Sequence, residues 1–168
     1  SELFGVRDPA VLRRAESMGY AMQLTNILRD VGEDLRSGRC YLPADLMLSN
    51  HVTEAQLSVG PPSAGYVALM KTLMGEAEGA YRVGFDGIVD LPQALRLPVS
   101  VAAYVYRGIL DEIRRFGYDN ITRRASTSGV RKAALAIRAM VDLRLLTRRR
   151  ARRATGGFHR VASGTRGS

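Results

Sequence analysis

Residues 23–43 read Gln-Leu-Thr-Asn-Ile-Leu-Arg-Asp-Val-Gly-Glu-Asp-Leu-Arg-Ser-Gly-Arg-Cys-Tyr-Leu-Pro. Wound as a helix with Gln23 at zero, Asn26, Asp30 and Asp34 fall at about −60°, −20° and +20°, so four oxygen-bearing side chains share one stripe. Carboxylate and amide oxygens of this kind suit a hard cation such as Mg²⁺, which keeps several waters and bridges protein carboxylates to substrate phosphates. Leu24, Leu28, Val31 and Leu35 lie on the other side. A surface helix also carries an apolar stripe opposite a polar face, so spacing alone admits a solvated face as well. Two details favour the cation. Asp30 and Asp34 are like charges four apart, which costs a helix about 0.2–0.5 kcal/mol, and no basic residue on their stripe relieves it. Arg29, Arg36 and Arg39 flank it instead, as they would to grip an anion beside a metal.

The elements that must hold this stretch read as successive helices. Asp8-Pro9 is an N-cap acid followed by proline at the first helical position, and an apolar-periodic run continues from there to about Leu35, with Gly32 as a site for a bend. Ser37-Gly38-Arg39 closes the helix, and Leu42-Pro43 opens a short one through Leu48. Thr53 and Gln56 form a capping-box pattern before the Gly60-Pro61-Pro62 break. Ser63 starts a helix through about Val89, with Val67, Met70, Leu73, Met74, Ala77 and Tyr81 at spacings of three and four. Pro98 begins a helix over residues 99–116, which Gly117 stops. Ser126 or Ser128 caps the last helix, through about Leu146. With no alternating strand pattern, the fold class is all-α.

Length and composition set the frame. The 168 residues suit one domain or part of one, and 46% hydrophobic with 24% charged residues is ordinary globular composition. The one cysteine, Cys40, excludes an internal disulfide and fits a reducing compartment. The net charge is +9, but eight arginines and no acid lie from Arg144 onward, and nine less eight leaves +1 for the rest. Basicity therefore belongs to residues 148–168, which read as a mobile basic tail after a domain at 1–147. No targeting leader opens these residues, and no apolar run reaches the length of about 18 that suggests a membrane span.

Asn26-Ile27-Leu28-Arg29-Asp30-Val31-Gly32-Glu33-Asp34, then Gly38-Arg39 and Tyr41-Leu42-Pro43, resembles the second aspartate-rich signature of the phytoene synthase and squalene synthase family. Tyr106-Arg107-Gly108-Ile109-Leu110-Asp111-Glu112-Ile113, with Gly117-Tyr118-Asp119, Arg123-Arg124-Ala125 and Arg131-Lys132, is similar to that family's last core helix and closing basic stretch. The resemblance covers about residues 4–132 and the C-terminal half of the family's domain. The family's earlier aspartate-rich motif has no counterpart here, so the chain is expected to be a fragment that would not turn over alone.

The resemblance implies an isoprenoid-synthase helical bundle that condenses two prenyl diphosphates head to head, geranylgeranyl diphosphate giving phytoene by way of prephytoene diphosphate. Asn26 and Asp30 would ligate Mg²⁺ (with Mn²⁺ as the alternative), and Asp34 would support a metal directly or through water. Asp30 and Asp34 are the expected catalytic pair. Arg29 would reach round the helix to a diphosphate, Gln23 would line the substrate channel, and Tyr106 would either reach the diphosphate or pack at a helix contact. NADPH is not expected, although these residues leave a reductive step open. Arg123, Arg124 and Arg131 read as solvated charge. The Asp86-to-Asp90 pair is discounted as a metal site by its glycine and the following proline, and His51 and His159 lack partners at ligand spacing.

The runner-up within the family is a squalene or diapophytoene synthase, and the reading of another class is a non-catalytic helical assembly protein of the same fold. The arginine tail favours peripheral attraction to anionic lipid, about 1 kcal/mol per basic residue near the surface. Nucleic acid is not expected, because the tail interleaves only Phe158 among its arginines. The expected location is the cytoplasm, at a membrane surface through the tail, or the plastid in a photosynthetic eukaryote.

Overall fold

The computed structural model describes residues 8–57 and 61–161, with side chains to residue 150. Residues 1–7, 58–60 and 162–168 lie outside the described residues, and with them the first residues of the resemblance and Gly60.

Six α-helices follow one another: α1 (Pro9–Arg36), α2 (Ala44–Ser49), α3 (Glu54–Leu57), α4 (Ala64–Asp86), α5 (Gln93–Arg115) and α6 (Gly129–Val161), with a 3₁₀ turn at Ile88–Asp90. There is no strand among the described residues. The expected caps form. Asp8 accepts from Ala10 N–H at 2.8 Å and Ser63 Oγ from Tyr66 N–H at 3.1 Å. The capping box is reciprocal, with Thr53 N–H donating to Gln56 Oε1 at 2.9 Å and Gln56 N–H to Thr53 Oγ1 at 3.3 Å. Gly38 closes the turn after α1 at φ 70°.

Helix α1 is the central element, packed chiefly on α4 and also on α5, while α6 packs on α5. Leu24, Leu28 and Val31 of α1 meet Tyr66, Leu69, Met70, Leu73, Met74, Ala77 and Tyr81 of α4 and Ala103, Ile109, Leu110 and Ile113 of α5 in one core. Each Val, Leu, Ile or Met among them contributes about 1.5–3 kcal/mol on burial, so α1 is held along the side opposite its oxygen stripe. The stripe is thereby given a fixed aspect.

Four local expectations are corrected. Pro98 lies inside α5, whose N-cap is Pro92, because a proline near a helix start removes only one backbone bond and the run continues on both sides. Helix α4 ends at Asp86, where Gly87 caps it, and the next three residues tighten into the 3₁₀ turn. Helix α6 runs through Leu146 to Val161, so residues 148–161 are helical; arginine is a good helix former, and Arg150 donates to Asp90. Gly32, expected only as a site for a bend, is required by a close approach, since a Cβ there would lie 1.9 Å from the Ile121 carbonyl oxygen.

Candidate functional site

The second half of α1 carries the polar groups. Thr25 is fully buried; its hydroxyl donates to Ala21 O at 2.8 Å and shares a 3.0 Å hydrogen bond with Tyr81. Burial pushes the Tyr81 hydroxyl up to about 12, against the lowering effect of that bond. One residue on, Asn26 Oδ1 is buried with no hydrogen-bond partner. A buried acceptor without a donor costs about 1–3 kcal/mol, so its presence calls for a ligand that donates positive charge or a proton.

One turn further, Arg29 grips Asp30 with two hydrogen bonds, Nε to Oδ1 at 2.8 Å and Nη2 to Oδ2 at 2.6 Å. A second arginine arrives from across the sequence: Arg124 Nε donates to Asp30 Oδ1 at 3.0 Å and lies 3.5 Å from Glu33. The Arg29 bonds hold the Asp30 carboxyl below the usual carboxylate range, outweighing burial, with Arg124 adding to the effect. The Asp30 side chain is 19% exposed. Its two partners, Arg29 and Arg124, line a cavity of about 320 Å³ together with Tyr106, Ile109, Thr127 and Lys132. Three cations, Arg29, Arg124 and Lys132, stand against two carboxylates, Asp30 and the exposed Glu33, a net positive lining whose chemistry suits an anion with several oxygens.

The other expected site residues take different positions. Tyr106 lines the cavity and is half-buried. Gln23 is exposed. Asp34 is half-buried on a separate small recess with Arg39, Cys40, Tyr41 and Leu42, so it is not brought onto the Asp30 cluster. No group of three or more His, Cys, Asp or Glu side chains is poised to hold a metal among the described residues. The orphaned Asn26 oxygen and the ionised Asp30 therefore fit one edge of a hard-cation site, which needs further oxygens from substrate, water or other protein.

The three arginines read from sequence as solvated charge divide. Arg131 pairs with Asp111 at 3.1 Å and with the buried Glu112 at 2.5 Å, fastening α6 to α5. Arg123 lies beside Asp119 at 4.0 Å and over the Phe116 ring at 5.8 Å. Arg124 alone reaches the aspartate stripe, and its distance of 94 residues from Asp30 hid that from any local pattern. Lys132, on the first turn of α6, belongs to the same recess.

Comparison with known proteins follows from these features. The family model described as Squalene/phytoene synthase matches residues 1–131. A phytoene synthase of Thermus thermophilus is 47% identical over 131 residues, covering 78% of this chain and 45% of that protein. One of Cereibacter sphaeroides is 45% identical over 127 residues, covering 75% and 36%. A solved dehydrosqualene synthase in complex with ligand superposes with a TM-score of 0.71 at 34% identity, over 78% of this chain and 46% of that one. The chain thus spans about half or less of the length of these relatives.

Proposed function

This chain belongs to the squalene/phytoene synthase family, and we propose that it forms the C-terminal part of a prenyltransferase domain, over residues 1–147, whose full site joins two geranylgeranyl diphosphates head to head into phytoene. The observation that carries this reading is the pairing of an orphaned Asn26 oxygen and an ionised Asp30 with a recess lined by Arg29, Arg124 and Lys132.

In this reading the recess receives a diphosphate. Arg29 and Arg124 present guanidinium edges to its oxygens, Lys132 adds a point charge and Tyr106 offers its hydroxyl, so negative charge developing on a leaving diphosphate meets donors already in place. Asn26 and Asp30 would hold Mg²⁺ or Mn²⁺, without Asp34, which lies on the separate recess, and the ion when bound would supply positive charge to the same leaving group. Val105 and Ile109 on the wall of the recess are the apolar surface it offers for keeping water from an allylic cation. The double bond of the second substrate attacks that cation, and loss of a proton closes the ring of the cyclopropylcarbinyl diphosphate; its second diphosphate then leaves, and the rearranged cation loses a proton to give the hydrocarbon. The phytoene branch calls for no NADPH. A squalene-type synthase is the second reading, favoured by the likeness to a dehydrosqualene synthase structure. Incubating the full-length enzyme with geranylgeranyl and farnesyl diphosphates and Mg²⁺ distinguishes them: phytoene from the first supports the proposal, and no coupled hydrocarbon from either overturns it.

No helix of the described residues is long and apolar enough to cross a membrane. The outward face of α6 nonetheless exposes Val130, Ile137, Val141 and Leu145, with Arg144 and Arg148 exposed beside them. This basic, apolar stripe supports peripheral contact with anionic lipid. Flotation with vesicles containing phosphatidylglycerol should weaken on Ile137→Asp/Val141→Asp replacement; unchanged binding removes the reading.

A further inference from the structure

The loop that delivers Arg124 is pinned to α1 by one buried amide. Helix α5 ends in two successive left-handed residues, Gly117 at φ 63° and Tyr118 at φ 66°, the second being a conformation that side chains rarely adopt. This turn drives Asn120 into the core, where it is 2% exposed. Every polar group of Asn120 beyond its own N–H is then spent on neighbouring helices. Its Oδ1 accepts from the Tyr66 hydroxyl at 2.7 Å. Its Nδ2 donates to the Leu28 carbonyl of α1 and lies 3.8 Å from Met70 Sδ. Its backbone oxygen accepts from Gly32 N–H at 3.2 Å.

Leu28 and Gly32 are one helical turn apart and bracket Asp30, so Asn120 clasps the backbone of α1 on both sides of that residue. Gly32 makes the clasp feasible: any side chain there would strike the Ile121 carbonyl. Arg36 completes the seam by donating to Ile121 O at 3.2 Å. Beyond the clasp, Asp119 closes the turn on Thr122, accepting from its N–H at 3.0 Å, and Arg124 emerges against Asp30.

We propose that Asn120 is the positioning residue of the diphosphate recess, setting Arg124 beside Asp30 by locking the loop after α5 to the α1 backbone. It does not touch the ligand. This deepens the diphosphate-binding reading and rests on it. The alternative is that Asn120 merely stabilises the fold, in which case its loss and the loss of Arg124 act independently.

A double-mutant cycle on the full-length enzyme separates the two. Affinity for inorganic pyrophosphate in the presence of Mg²⁺ is measured by calorimetry, with helicity and Tm recorded for each variant. Arg124→Ala is expected to weaken binding about tenfold. Asn120→Ala should weaken it by a similar factor, and Asn120→Ala/Arg124→Ala should be no weaker than Arg124→Ala alone. Tyr66→Phe removes one hydroxyl without opening a cavity and keeps the test available should Asn120→Ala not fold; about threefold weakening is expected, absent in the Arg124→Ala background. Losses that multiply in either cycle, or a folded Asn120→Ala with undiminished affinity, overturn the positioning role. A wild-type enzyme that makes no coupled hydrocarbon and does not bind pyrophosphate overturns the diphosphate reading itself, and the positioning role with it.

Discussion

Two stretches of this chain spell aspartates four apart, and each carries an aspartate gripped by two arginines. Asp30 is held by Arg29 and Arg124, and Asp90 by Arg14 at 2.6 Å and by Arg150. Asp30 takes one arginine from its own helix and one from a distant loop, whereas both arginines on Asp90 come from distant elements. The surroundings differ. The Asp90 side chain is 7% exposed and ties the early turns of α1 and the second half of α6 to the 3₁₀ turn; its partner Asp86 is simply exposed. Asp30 lies one helical turn from an amide oxygen with no donor, and its two arginines line a recess that also holds Lys132. An aspartate pair is thus a joint where its charges are all answered, and, under the proposed function, a binding edge where one acceptor is left wanting.

The contrast breaks most sharply under isosteric neutralisation. Asp30→Asn in the full-length enzyme should cut turnover by about 10²–10³, the scale of losing an electrostatic element at a transition state, while Asp90→Asn should leave product formation essentially unchanged. Equal activity losses would erase the distinction. Stability should run the other way. Urea unfolding should find Asp90→Asn destabilised by about 1–3 kcal/mol through its lost charge-assisted bonds, and Asn26→Leu stabilised by about 1 kcal/mol, because an unanswered acceptor is removed. A marked destabilisation of Asn26→Leu would mean that its amide is satisfied after all.

Acid should sharpen the picture further. Burial alone would raise Asp90, but hydrogen bonds and charge from Arg150 and Arg14 bring it below the usual carboxylate range, and Asp30 is lowered by Arg29. A carboxyl depressed in the folded state contributes stability above its unfolded value of about 3.9 and loses it as pH falls through the depressed value. Stability should therefore hold above about pH 5 and decline below about pH 4, and the decline should be shallower in Asp90→Asn and in Asp30→Asn. Urea midpoints at pH 6 and pH 3 check this. The smallest effect belongs to neither region: Thr53→Ala, at the reciprocal cap of α3, should cost about 0.5–1 kcal/mol with activity intact.

Much of the architecture was legible because helix signals are local. Asp8-Pro9, Thr53 with Gln56, and Ser63 sit within four residues of the backbone groups they satisfy, and the oxygen stripe of α1 follows from periodicity. The failures share a cause. Pro98 is a strong punctuation mark in sequence, but whether it starts a helix or rides within its first turns depends on residues 93–97 finding partners. The arginines of α6 looked like solvated composition, yet Arg150 bonds a carboxylate 60 residues away. Arg124 and Gly32 owe their places to a loop that no spacing rule links to α1. Asp34 shared the stripe but faces another recess, because the turn at Gly38 folds residues 39–42 back beside it.

The clasp on Leu28 joins positions 92 residues apart, and that separation governs how the molecule assembles. Contacts closed over long stretches of chain form late, since their loop entropy must be met before they yield anything. Helix α1 can wind early with its signature intact and still be inert, acquiring its second arginine only when the loop between α5 and α6 returns to it. A newly made molecule would therefore gain helicity well before any affinity for an anion, and a delay between those two signals in refolding would time the closing of that single amide.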